Sequence, residues 1–205
     1  MRGTAARAAA LPEPLWLEWA ALAGLLLFAS WLLGARGVWA LLLHADPTGI
    51  TAVIVAVFAG ATIWCGARAR TLQQGREAWA SDYAEALART PRDAGAPMDL
   101  LLERTHGPHQ TAWWVNGIQL KLGLLGKVIG FSMLALQIGN LQSFDPNQSQ
   151  ELLKSLTGGL GVALLTTMVG LVGNIVLGLQ LTRLDRFADA LVADCRRLGL
   201  GSARA

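Results

Sequence analysis

The sequence predicts an all-α membrane protein with four transmembrane helices, and three observations carry that prediction. Hydrophobic residues make up 53% of the 205-residue chain and charged residues only 15%, where soluble domains carry about 25% charged. The mean hydropathy is +0.42. The charges are also absent in blocks: Pro47 to Ala67 holds no charged side chain over 21 residues, and Ser155 to Thr182 holds none over 28. About 20 apolar residues in a helix cross a bilayer core.

Taken in order, residues 1–14 form a leader containing Arg2 and Arg7. Residues 15–67 are expected to form a first transmembrane hairpin. Its first span runs from Trp19 to Ala35 and extends back to Leu15 across Glu18; its second is the charge-free block at 47–67. Ser30-Trp31-Leu32-Leu33 makes a poor small-residue cleavage site, so the first span is read as a retained helix and not a signal peptide. Residues 68–113 read as a helical segment outside the membrane. There, Leu72, Trp79, Tyr83, Ala86 and Leu87 fall at helical spacing between Arg70 and Arg89. Prolines 91 and 97 break that helix, a short one follows from Met98 to Thr105, and His106-Gly107-Pro108-His109 is expected to turn. Residues 114–182 form the second hairpin, with a third span over Trp114–Gly139 that contains Lys121 and Lys127. In the tail, 183–205, Leu184, Phe187, Leu191 and Cys195 share a stripe, so the last helix is expected to project beyond the membrane.

Orientation follows from the basic residues near the span ends. The leader, the 68–113 segment and the tail together hold 13 arginines, against Arg36 and Lys154 in the other two loops. This split predicts both termini and the middle segment in the cytoplasm. Trp16, Trp19, Trp64, Trp113 and Trp114 stand at span ends, where amphipathic rings prefer the headgroup level.

Several function classes are unsupported. The net charge of +3 has no concentrated basic face of the kind nucleic-acid binding requires. Cys65 and Cys195 make neither a disulfide framework nor a metal site. His44, His106 and His109 are expected in loops, and no span carries a catalytic arrangement of nucleophile and base. The expectation is therefore a non-enzyme without cofactor or metal.

The third and fourth spans carry the signal. Gly123, Lys127 and Gly130 fall at i, i+4, i+7 with Gly126 at the border of that face. On the fourth span Gly159, Ala163, Thr166, Thr167, Gly170, Asn174 and Gly178 make another stripe of small or polar residues. In lipid, helices associate by close packing through small residues and by hydrogen bonds, so these stripes serve either helix packing or a polar lining for ions.

Lys127 demands more. It lies 13 residues after Trp114 and 13 before Asn140, roughly 20 Å from either end of the span at about 1.5 Å per residue. A lysine at that depth costs about 2.5–3.5 kcal/mol on insertion scales. No acidic residue of the chain lies at its level, so Lys127 is neutral, hydrated, or paired with a carboxylate from another chain. Thr167 reaches about the same depth on the antiparallel neighbour.

Leu122-Gly123-Leu124-Leu125-Gly126-Lys127-Val128-Ile129-Gly130 resembles the Gly-Leu-x-Gly-Thr-Val-x-Gly helix of the MotA/TolQ/ExbB proton-channel family, and Ala163-Leu164-Leu165-Thr166-Thr167-Met168-Val169-Gly170-Leu171 resembles the next helix of that family. The resemblance covers about residues 105–185. It implies a homopentamer in the bacterial inner membrane, surrounding the single membrane helices of a MotB-, TolR- or ExbD-like partner that bears an essential aspartate. Thr167 matches the pore threonine of the last helix. Lys127 stands where the family has a threonine, and Val162 falls near its glutamate position. The expected ion-pathway residues are Lys127, Thr167, Thr166 and Asn174. The alternative is a non-conducting scaffold or signalling subunit that keeps the family fold.

Overall fold

The computed structural model describes residues 15–46, 48–89, 95–139 and 146–202. Residues 1–14, 90–94 and 140–145 lie outside the described residues, and with them the leader and most of the proline-containing segment read from the sequence as breaking the helix. Among the described residues there are six helices and no strand: α1 (Leu15–Ala35), α2 (Val38–Ala45), α3 (Ile50–Gln74), α4 (Arg76–Arg89), α5 (Gly95–Gly139) and α6 (Pro146–Ser202). Four of them, α1, α3, α5 and α6, are long and apolar enough to cross a membrane. Many large apolar side chains on these four face outward, among them Leu27, Phe28, Ile63, Val128, Leu136 and Ile175. Patches of this extent on a monomer require lipid or another chain to cover them.

The elements begin and end for local reasons. α1 stops where Gly37 takes φ 72° and its N–H bonds the carbonyl of Gly34, a left-handed closure open to glycine without penalty. The sequence reading left the connection after α1 as a loop; residues 38–45 instead form α2, and the Trp39 indole donates back to the Ser30 carbonyl at 2.9 Å. Asp46 is the cap of α3. Its buried carboxylate accepts from the Thr51 N–H at 2.7 Å and from the Thr48 N–H at 3.0 Å, satisfying a donor that the first helical turn leaves over. Burial raises the Asp46 pKa, but the hydrogen bonds from Thr48 and Thr51 outweigh it and hold the carboxyl below its ordinary value. At the far end, α3 meets α4 at Gly75, whose N–H and carbonyl bond Thr71 and Trp79 in helical register.

The chain divides into two units. One comprises 64–111 and the chain from 180 onward, together with the residues up to Leu25; the other comprises Leu26–Ile63 and Ala112–Leu179. The first has its core in Cys65, Ala69, Leu72, Leu101, Leu184, Ala188, Leu191 and Cys195, all buried. Of the stripe read in the tail, Leu184, Leu191 and Cys195 are in this core; Phe187 is only half-buried, and Ala188 beside it is buried instead. α1 is locked into this unit by the Trp19 ring, which lies directly against Gly66 in the space a Cβ would need. Arg70 covers the Trp16 ring at 4.7 Å, and Gln73 accepts the Trp16 N–H at 3.1 Å.

The largest departure from expectation concerns His106-Gly107-Pro108-His109. It is not a turn, and no separate helix ends at Thr105: α5 runs unbroken through Pro108. Proline removes the N–H that would bond the carbonyl four residues back, here that of Arg104. Arg68 on α3 supplies the missing donor, its guanidinium reaching the Arg104 carbonyl at 2.5 Å and the Thr105 carbonyl at 3.0 Å. With that carbonyl satisfied, the helix continues.

Candidate functional site

In the second unit, α5 and α6 meet along a seam of residues that lack bulk. An added Cβ on Gly130 would lie 2.9 Å from Ala163, one on Gly126 2.6 Å from the Thr166 hydroxyl, and one on Gly123 3.2 Å from the Thr166 carbonyl. Gly170 approaches the Gly123 backbone in the same way, and Gly159 approaches Leu134 and the Gly130 carbonyl. Numbers rise on one helix as they fall on the other, so the pair is antiparallel. Six of the seven packing residues read from the sequence are in this seam. Gly178, the seventh, sits in ordinary contact with the Asn116 carboxamide, where a Cβ would be 3.4 Å away.

The four polar residues separate into two groups. Thr166 is fully buried in the seam and its hydroxyl donates to the Val162 carbonyl at 2.9 Å. Asn174 donates to the Asn116 carbonyl at 2.8 Å and so bridges the two helices. Asn174 thus ties α6 to α5 by a hydrogen bond, while Thr166 bonds within its own helix and meets α5 by packing against Gly126. Thr167 is half-buried, its hydroxyl 2.8 Å from the Ala163 carbonyl and 3.3 Å from that of Gly123. Lys127 is exposed. The sequence reading grouped it with Gly123 and Gly130 and left Gly126 at the border; Gly126 is inside the seam and Lys127 outside it.

That exchange has a geometric result. Lys127 follows Gly126 and Thr167 follows Thr166, and one residue turns a helix by about 100°. In an antiparallel pair, a forward step from the seam turns both helices toward the same side. Lys127 and Thr167 thus flank the seam on one side of the hairpin, the lysine open to whatever adjoins this chain. A lysine amine and a hydroxyl on one side of an apolar hairpin offer polar groups to a neighbouring chain.

Compared with family models, curated proteins and solved structures, the chain matches none.

Sequence reasoning missed two further polar features. In the seam, Gln119 is fully buried and its carboxamide makes no hydrogen bond among the described residues; Asn116 Oδ1 is in the same condition. Asn116, Gln119, Gly123, Gly126 and Gly130 recur at steps of three and four, a pattern that would have placed both amides in the seam with the glycines. In the other unit, His109 and His106 reach across to α6. His109 Nδ1 lies 2.6 Å from Asp185 and His106 Nε2 lies 3.0 Å from Asp189. The Trp64 ring stands edge-on to His109, centroids 6.3 Å apart. The signal for these pairs was present: Asp185 and Asp189 are one turn apart on α6, as His106 and His109 nearly are on α5. Reading the Gly-Pro dipeptide as a break hid it. Among the described residues, no group of three or more histidine, cysteine or acidic side chains is placed to hold a metal.

Proposed function

We propose that this chain is a subunit of an inner-membrane, stator-like proton-channel complex that couples proton motive force to work through a partner protein. The observation that carries the reading is the shared flank of Lys127 and Thr167. A seam of glycines and small residues consumes one face of the hairpin and leaves the Lys127 amine at mid-span facing outward, where the lipid chains offer it no partner. A second chain bearing a carboxylate satisfies that need, and the paired motifs of the two helices resemble a family built in that way. In this arrangement both termini are cytoplasmic and five copies enclose the single membrane helices of a MotB-, TolR- or ExbD-like partner. Lys127 faces the partner's aspartate and favours its ionised form, since an opposite charge nearby lowers a carboxyl pKa. Thr167 supplies a hydroxyl at the same depth.

The test is proton flux into liposomes that hold the chain together with its partner. Lys127→Met removes the charge at similar length, and Thr167→Val removes the hydroxyl at equal volume. Each is expected to cut flux by about tenfold or more, the rate equivalent of roughly 1.4 kcal/mol. Unchanged flux in both variants takes these residues out of the mechanism.

A scaffold or signalling role without conduction is the second reading, favoured by the two departures from the family pattern, Lys127 and Val162. It predicts partner binding that does not depend on proton motive force. Loss of cellular function under an uncoupler, with the complex intact, rejects it.

A further inference from the structure

Two histidine–aspartate pairs, one turn apart, fasten α5 to α6 in the first unit. The outer pair is the more open: the side chains of His106 and Asp189 are 30% and 73% exposed. The inner pair is enclosed, with 3% of the His109 side chain and 31% of the Asp185 side chain exposed. A carboxylate accepts only, so the His109 proton resides on Nδ1 and is donated to Asp185. That leaves Nε2, which is buried and has no hydrogen-bond partner among the described residues. As a bare lone pair this atom is tolerated at small cost. As an N–H it becomes a buried donor without an acceptor, attached to a ring that is now charged.

We propose that the His109–Asp185 pair is a pH-sensitive clamp, closed when His109 is neutral and opened when protonation puts a second N–H on the buried Nε2. The groups facing it are known from every packed element. α6 brings Asp185 and Asp189, α5 brings His106, and α3 brings Arg68, held by the Arg104 and Thr105 carbonyls. Of these Asp185 favours a charged His109, Arg68 and His106 oppose it, and Asp189 is engaged by His106. Burial is the largest influence and lowers the His109 pKa, the Asp185 bond and charge raise it, and the two neighbouring bases lower it further; the outcome is below the ordinary value. A base whose pKa is depressed by folding stabilises the fold while neutral. That stabilisation is complete above about pH 6.5, the unfolded value. It is lost as pH falls through that value toward the folded pKa. The device thus responds to acidification on the arginine-rich side, the cytoplasm in the orientation proposed above, and does so whether or not the complex conducts.

The experiment uses the full chain in lipid nanodiscs. With only three histidines in the sequence, nitrogen NMR of the imidazoles resolves the titration of His109. Hydrogen exchange over residues 101–112 and 181–195, corrected for the intrinsic effect of pH, is compared at pH 7.5 and 5.5, values chosen to bracket the ordinary histidine pKa of about 6.5. Wild type is expected to titrate His109 below the ordinary value and to lose protection at the lower pH. His109→Asn keeps a donor in the Nδ1 position and cannot be protonated, so its protection is expected to be equal at both pH values. Should that variant not fold, Asp185→Asn serves instead: it withdraws the charge that favours the imidazolium and is expected to move the loss of protection to lower pH. A His109 midpoint at or above the ordinary value, equal protection in wild type at both pH values, or an Asp185→Asn midpoint that does not move would each overturn the clamp. None of these readouts involves ion flux, so a failed clamp and a failed channel are told apart.

Discussion

Gly130→Leu is expected to leave little folded protein in detergent or lipid. The Cβ it introduces would lie 2.9 Å from both the Cβ and the backbone nitrogen of Ala163 and 3.0 Å from its Cα. Backbone atoms of a neighbouring helix cannot rotate away as a side-chain tip can, so α5 and α6 must part. Overpacking in a tight interior costs about 1–3 kcal/mol and sometimes more, and here the separation also forfeits the Gly126–Thr166 and Gly123–Gly170 contacts on the same seam. No hydrophobic force in lipid draws the helices back. Gly117→Ala is the control: it lies in the same helix with nothing within 4 Å of the added methyl. A gain of about 0.5–1 kcal/mol is expected from the lost backbone freedom of glycine. Thermal unfolding followed by size exclusion separates the two. Equal midpoints would show that the seam does not hold the hairpin.

The second large effect is a coupling. Arg68→Met is expected to destabilise the protein by about 0.5–1.5 kcal/mol, the net worth of a hydrogen bond where solvent has access, because the Arg104 carbonyl, at an exposed position, then has neither Arg68 nor an N–H at position 108. Pro108→Ala restores that N–H to the helix ladder. In the Pro108→Ala background the same arginine substitution is therefore expected to cost much less. The difference between the two costs measures the interaction directly. Additive effects in the double variant would mean that Arg68 acts through something other than the freed carbonyl.

How much of this was legible from the sequence depends on what kind of signal each feature leaves. Long charge-free stretches are a one-dimensional record of lipid, and three of the four spans were readable from them; the third, which contains Lys121 and Lys127, showed itself by its apolar run alone. The seam was readable too, because small residues at steps of three and four have few uses in a membrane helix besides close approach. Its rotation was not: Gly123 and Gly130 were placed correctly, while Gly126 and Lys127 exchanged roles, a difference of one residue or about 100° around the helix. Only the facing residues on α6 decide such a point. The buried His109 was hidden for a related reason. Gly-Pro is a strong local breaker, and the rule fails here because a residue 36 positions from Arg104 in sequence, Arg68, satisfies the carbonyl that proline frees. Local propensity yields to a tertiary contact of this kind, and no pattern within the segment records it. The short helix α2 left no clear signal because eight residues are fewer than a periodicity needs to declare itself.

The burial of Cys65 and Cys195 in the core shared by α3, α5 and α6 has a practical consequence. Both thiols are native, neither is bonded to another sulfur, and each is shielded from solvent by the packing of the unit in which Arg68 also lies. A small alkylating reagent therefore meets them only when that packing gives way, and the unmodified chain already contains two chemical reporters of its own opening.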